Sequence, residues 1–232
     1  FGSDWIGFNN FKFFFMSNDA WRITRNTLGY SSVFIITGTI AAMAVALLLF
    51  EITSRRSIKL YQTIMILPNF MSWVLVGYIT YILFNGEKGV FNQILTALGH
   101  KGVDWYSTPG VWPFILPVVN IWKNVGMKSI MYYSALMGLD LSLYEAAEID
   151  GAGRWKQTWA ISIPSLLPVM TILVIMDVGG IFRGDFGLFY QITRDIGALY
   201  PTTDIIDTYV YRGLRTGDVG ITSAIGLFQS VV

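Results

Sequence analysis

The sequence predicts an all-α, polytopic membrane protein, and three observations carry that expectation. Hydrophobic residues fill 53% of the 232 positions and charged residues only 13%. Mean hydropathy is +0.53, outside the range of ordinary soluble domains. Two runs, Leu28 to Phe50 and Leu60 to Phe84, contain no charge at all and are long enough, at about 1.5 Å per residue, to cross a hydrocarbon core of roughly 30 Å. A net charge of +1 leaves no basic surface suited to nucleic acid, and zero cysteines remove disulfides and thiolate metal sites.

Taken in order, residues Phe1 to Arg25 are aromatic but interrupted by Asp4, Lys12, Asp19 and Arg22, which suits a segment lying along the membrane surface. The chain opens at Phe1 with no methionine or signal-like stretch, which suggests a trimmed fragment. Expected spans cover about 28–50, 60–84, 110–138 and 161–182, with 217–232 as a fifth that stops early, all in a single transmembrane domain. Pro68 inside the second span frees a carbonyl and is expected to kink it. His100, alone in the polar stretch Asn85 to Thr108, has no Cys or His partners and reads as solvated rather than as a ligand.

Charges within the spans point to function. A Lys or Asp at mid-membrane costs about 2.5 to 3.5 kcal/mol on insertion scales and is usually paired or water-facing. Lys123, Lys128 and Asp177, with Arg183 just beyond, are therefore candidates for a substrate cavity, and Asp177 is expected to share it with at least one of the lysines. The alternative for Lys123 and Lys128 is snorkelling toward an interface.

The polar segment of about 140–160 stands apart from the spans. Ser142-Leu143-Tyr144-Glu145 has the spacing of a capping box, which predicts Ser142 as the N-cap of a short helix. Ala146 and Ala147 keep that helix thin, and Gly151 is expected to turn the chain back to the bilayer, where Trp155 and Trp159 suit the headgroup level. No G-x-x-x-x-G-K-[ST] phosphate loop and no H-E-x-x-H occurs, and Asp185-Phe186-Gly187 lacks any kinase context. No cofactor or catalytic residue is expected, and any ATP hydrolysis belongs to another chain.

Glu145-Ala146-Ala147, then Asp150-Gly151-Ala152, then Ile163-Pro164 about a dozen residues on, resembles the cytoplasmic coupling loop of permease subunits in binding-protein-dependent ABC importers. Trp5 to Phe11 with Arg25 to Leu28, Leu67-Pro68, Gly89 to Asn92, and Gly184 through Val210 are similar, in the same order, to sugar-type permeases of the polysaccharide or oligosaccharide subgroup. Ile163-Pro164 stands where Leu-Pro is commoner. The resemblance implies the core of the type I importer permease fold, six helices of which the first and most of the last are missing here. It assigns ATPase coupling to Glu145, Ala146, Ala147, Asp150 and Gly151. The partners it implies are a second permease in a heterodimer, two ATP-binding subunits, an extracytoplasmic substrate-binding protein and membrane lipid. The expected location is the bacterial inner membrane. Parity puts the Glu51 to Lys59 turn and the Glu145 segment on one side, and only the resemblance makes that side cytoplasmic, because the Lys and Arg counts do not settle it. The rival class is a secondary transporter or channel working without ATP; a membrane enzyme comes third.

Overall fold

The computed structural model describes residue 7 and residues 9–231, and among them every regular element is helical. The principal helices are Asn9–Met16, Asn18–Phe50, Arg55–Ile66, Trp73–Phe84, Val90–Ala97, Trp112–Met137, Ser142–Ile149, the 25-residue Arg154–Val178, Ile206–Thr216 and Val219–Val231. Asn18–Phe50 and Arg154–Val178 are each long and apolar enough to cross a membrane, and Arg55–Phe70 with Trp73–Phe84 makes a third, broken crossing by the same measure. Trp5, Ile6 and Phe8 of the aromatic lead-in lie outside the described residues.

In the first half one helix begins ahead of the expected span, and the kink expected at Pro68 is a bend of 99°. The first long helix starts at Asn18 rather than near Leu28, because Ser17 Oγ accepts from Ala20 N–H at 3.2 Å and caps it. Asp19 and Arg22 then pair at 2.8 Å one turn apart within that helix. The second span is not one helix. Arg55–Ile66 tightens into a 3₁₀ turn over Leu67–Phe70, Met71 is extended, and Ser72 Oγ accepts from Leu75 N–H at 3.3 Å to start Trp73–Phe84. Pro68 supplies the cause, since it has no N–H for the carbonyl one turn back.

The chain divides into two compact units. One gathers the residues up to Ser32, Ser72–Pro117 and Gly180 onward. Its apolar centre is Phe14, Ala20, Ile23, Ile206 and Ile225. Beside it lies a buried polar network: the Asp204 carboxylate, with 0% side-chain exposure, takes Arg22 Nη2 at 3.1 Å and Arg212 Nη2 at 2.5 Å. Burial alone would lower the Arg212 pKa, but the hydrogen bond and charge of Asp204 more than offset it and hold the guanidinium firmly protonated. The return after Gly180 contains short helical turns, among them Leu188–Ile192 and Tyr200–Thr203. In the stretch after Phe84, buried Asn92 bonds Gly86 O at 2.7 Å, Val103 O at 2.8 Å and Trp105 Nε1–H at 3.0 Å, tying a loop of 18 intervening residues to one side chain. His100 is exposed.

Asp207, in the same unit, accepts from Gly184 N–H at 2.8 Å and Gln229 Nε2–H at 3.0 Å, yet burial raises its pKa. A carboxyl whose folded pKa lies above its unfolded one loses stability as pH rises between the two values, so at neutral pH the ionised form opposes folding. Asp207→Asn keeps an acceptor for both donors and is expected to leave Tm at pH 7 unchanged or higher. A flatter dependence of Tm on pH as pH rises above the ordinary carboxylate range should accompany it; a clear fall in Tm at pH 7 would contradict this reading.

The other unit gathers Val33–Met71 and Val118–Gly179. Ala42 and Ala46, one turn apart, bring their helix close to Tyr132, Leu136 and Leu166. A Cβ at Gly126 would stand only 2.0 Å from Met65 O, so glycine is what lets Trp112–Met137 meet the broken helix backbone to backbone. Outward-facing Ile36, Ile40, Leu48, Ile172 and Ile175 are all exposed, as a lipid-facing surface requires.

Candidate functional site

The segment after Met137 builds its own short helix. Asp140 Oδ1 accepts from Ser142 N–H at 2.9 Å, and this bond holds the Asp140 pKa below the usual carboxylate range. Ser142 is therefore the first helical residue and not the N-cap, and the expected capping box with Glu145 does not form. Asp140, two residues upstream, was the available signal. At the other end, Ala152 N–H bonds Ala147 O at 2.8 Å and Gly151 N–H bonds Glu148 O at 3.0 Å, the paired bonds of a Schellman ending. Gly151 sits at φ +80° with open space where a Cβ would go, so the backbone angle rather than crowding requires glycine.

Few contacts hold this helix in its unit. Tyr144 Oη lies 2.9 Å from Ser162 Oγ, its ring stands 5.7 Å from Phe50, and Gln157 Nε2 donates to Ala152 O at 2.9 Å. Glu51 and Arg154 approach to 3.7 Å, so the Glu51 turn and this segment share one end of the unit. Glu145, Ala146, Glu148 and Asp150 are exposed, Ala147 is half-buried, and Ile149 is 88% exposed beside exposed Leu141 and Leu143. Such an apolar and acidic face has no partner within the described chain.

The intramembrane charges separate into two roles. Lys128 Nζ meets Asp177 Oδ2 at 2.5 Å, both side chains about a third exposed. Lys123 does not share that pairing: it is 6% exposed and donates to Pro68 O at 3.2 Å, Asn69 O at 2.9 Å and Met71 O at 2.7 Å. So deeply buried an ammonium is not snorkelling toward an interface. Its ammonium gathers the carbonyls at the broken end of Arg55–Phe70, where the helix dipole is negative, and Asn124 and Asn69 bond beside it at 3.3 Å. Arg183 lies in the other unit and is exposed, its charge favouring the ionised form of Asp207.

Removing either member of the Lys128–Asp177 pair should strand a charge in apolar surroundings, whereas removing both should recover part of the loss. A coupling of about 1 kcal/mol is expected from Lys128→Met, Asp177→Asn and the double variant, read from thermal unfolding in detergent. Strict additivity would show that the two charges do not depend on each other.

With this geometry in hand, the comparisons with known proteins are consistent. Residues 34–232 match the family described as binding-protein-dependent transport system inner membrane component. Protein LplB of Bacillus subtilis (strain 168) is 34% identical over 231 residues, 99% of this chain and 72% of that protein. The polygalacturonan/rhamnogalacturonan transport system permease protein YteP of the same organism is 29% identical over 232 residues, covering 100% and 72%. A chain of a bacterial ABC transporter involved in the import of the acidic polysaccharide alginate superposes with a TM-score of 0.93 at 33% identity, covering 100% of this chain and 80% of that one. The chain belongs to the binding-protein-dependent transport system inner membrane component family. It is a multi-pass inner-membrane permease subunit of an ABC importer, a transport component rather than a catalytic one.

Proposed function

We propose that this permease carries an oligosaccharide or polysaccharide-derived sugar across the inner membrane by alternating access. A second permease subunit completes the path, an extracytoplasmic binding protein delivers the sugar, and two separate ATP-binding subunits drive it. The observation that carries this reading is the Ser142–Ile149 helix, locally capped at both ends, lightly held, and presenting Leu141, Leu143, Ala146 and Ile149 among acidic residues without a partner. A face of that kind suits docking of another chain. Glu145, Ala146, Ala147, Asp150 and Gly151 are its proposed coupling residues. Lys123, Lys128 and Asp177 in one unit, and separately Arg183 in the other, remain proposed substrate-cavity candidates, with Lys123 also holding the helix break. Sugar as the cargo rests on what the YteP and alginate relatives are named for.

The test is co-purification from the native operon followed by reconstitution. The proposed reading expects an ATP-binding subunit and a second permease in the complex and sugar uptake that requires ATP. Uptake by this chain alone, without ATP, would favour a secondary transporter instead. Within the complex, Gly151→Val forces a branched side chain into a left-handed backbone at a cost of about 1–2 kcal/mol. Transport should fall sharply while membrane insertion is spared; normal transport would contradict the coupling role.

A further inference from the structure

Within the unit that holds Ser72–Pro117 and Gly180 onward, a cavity of about 250 Å³ is lined by Val74, Gly77, Tyr78, Tyr190, Gln191 and Arg194. Three independent features converge on it. The chain widens into a π-turn at Leu188–Ile192, a deviation that costs regular hydrogen bonding and recurs at functional sites. Gly77 lets the Trp73–Phe84 helix press onto that turn, because a Cβ there would stand 2.8 Å from Gln191 O. Arg194 and Asp195 then follow with φ of +57° and +50°, two consecutive side-chain-bearing residues in the left-handed region. Strain of this kind persists only where the surroundings over-determine it. Here Asp195 Oδ1 takes Arg212 Nη1 at 3.0 Å and Tyr200 Oη–H at 3.0 Å, and Tyr200 Oη also reaches Asp195 O at 3.2 Å.

The result places Arg194, an exposed side chain, at the cavity wall. Arg194 Cζ lies 4.1 Å from the centre of the Tyr81 ring, so one face of the guanidinium is stacked and its in-plane N–H donors stay available. It enters no ion pair among the described residues. Tyr190 is held by Phe186, whose ring stacks at 5.0 Å and 16°, and by Tyr211 at 5.0 Å, whereas Tyr78 is 62% exposed and has no ring contact among the described residues. A larger cavity that Arg194 also lines contains Glu87 and Asp104, which make it the poorer place for an anion. The smaller cavity has no acidic lining residue. It is below the ~300–1,000 Å³ of sites that enclose a drug-sized ligand, so it suits one residue of a longer chain.

We propose that this cavity is a subsite for a uronic-acid residue of the transported oligosaccharide, Arg194 binding the sugar carboxylate, Gln191 its hydroxyls and Tyr78 a pyranose face. The assignment rests on the oligosaccharide-importer reading and adds to it the charge class of the sugar.

The test uses the complete importer in nanodiscs and measures equilibrium binding of trigalacturonate and of its carboxyl-reduced, neutral counterpart. The wild type should bind the uronate about tenfold or more tightly than the neutral sugar, a preference that added salt weakens. Arg194→Gln should abolish that preference, Arg194→Lys should keep part of it, and Tyr78→Leu should weaken both sugars alike. Assembly and basal ATPase activity serve as the control for each variant. A wild type without preference for the uronate, or an Arg194→Gln variant that retains the preference or weakens both sugars equally, overturns the subsite. An effect that depends on phosphatidylglycerol in the disc instead of on the sugar's carboxylates assigns Arg194 to lipid and also overturns it. ATP-driven uptake of neutral oligosaccharides would survive any of these results, so the subsite can fail while the importer reading stands.

Discussion

Lys123→Met is expected to destabilise the protein by about 3–5 kcal/mol, seen as a large fall in Tm in detergent or nanodiscs. Methionine preserves most of the stem's volume, so the loss isolates the ammonium. Three carbonyls, of Pro68, Asn69 and Met71, then lose a charged donor in a site that is 6% exposed at Lys123. Pro68 O retains Met71 N–H at 3.1 Å, which keeps the effect below the sum of three separate bonds. Lys128→Met should cost clearly less, because its pair with Asp177 is about a third exposed. Equal effects at the two positions would contradict the distinct roles assigned to them.

Asp204→Asn should have an effect of similar size, about 3–5 kcal/mol, for the opposite electrostatic reason. The carboxylate is fully buried between Arg22 and Arg212, and asparagine leaves two guanidiniums without their shared counter-charge. Thr208 Oγ1, 2.9 Å from Asp204 Oδ1, still finds an acceptor, so the cost falls on the charges. Adding Arg22→Met removes one of the two cations that lost the Asp204 charge and should restore part of the Tm. Arg22 is the better partner for this cycle: its second carboxylate, Asp19, is 41% exposed, whereas Asp195, the second carboxylate of Arg212, is 21% exposed. A single Asp204→Asn variant as stable as the wild type would show that the network carries no net stability.

Helical class was legible in the sequence because hydropathy and length act residue by residue. The run Leu28 to Phe50 needs no knowledge of its neighbours to be read as a long apolar helix, and Gly151 announces a turn by its own conformational freedom. What escaped was set by partners distant in sequence. Pro68 marks a weak point, but whether the helix bends or breaks is decided by Lys123, 55 residues on, which stabilises the exposed carbonyls. The Asp204 network joins residues 182 positions apart, and no local spacing reports it. The capping error at Ser142 is local: Asp140 competes for the same amide and wins. Arg194 gave no signal either, being one of several arginines in a polar stretch until the strained backbone at Arg194 and Asp195 fixed its direction.

We propose the exposed Ser142–Ile149 helix as the place where an ATP-binding subunit docks and through which it drives transport. Because the chain has no cysteine, a single one can report on that face without background. Ala146 is the position to use, being exposed where Ala147 is half-buried. In the assembled importer, Ala146→Cys should cross-link to a cysteine on the ATP-binding subunit, with a yield that changes between the nucleotide-free and ATP-bound states. Absence of any cross-link to that subunit in both states, in a complex that still transports, would contradict the claim.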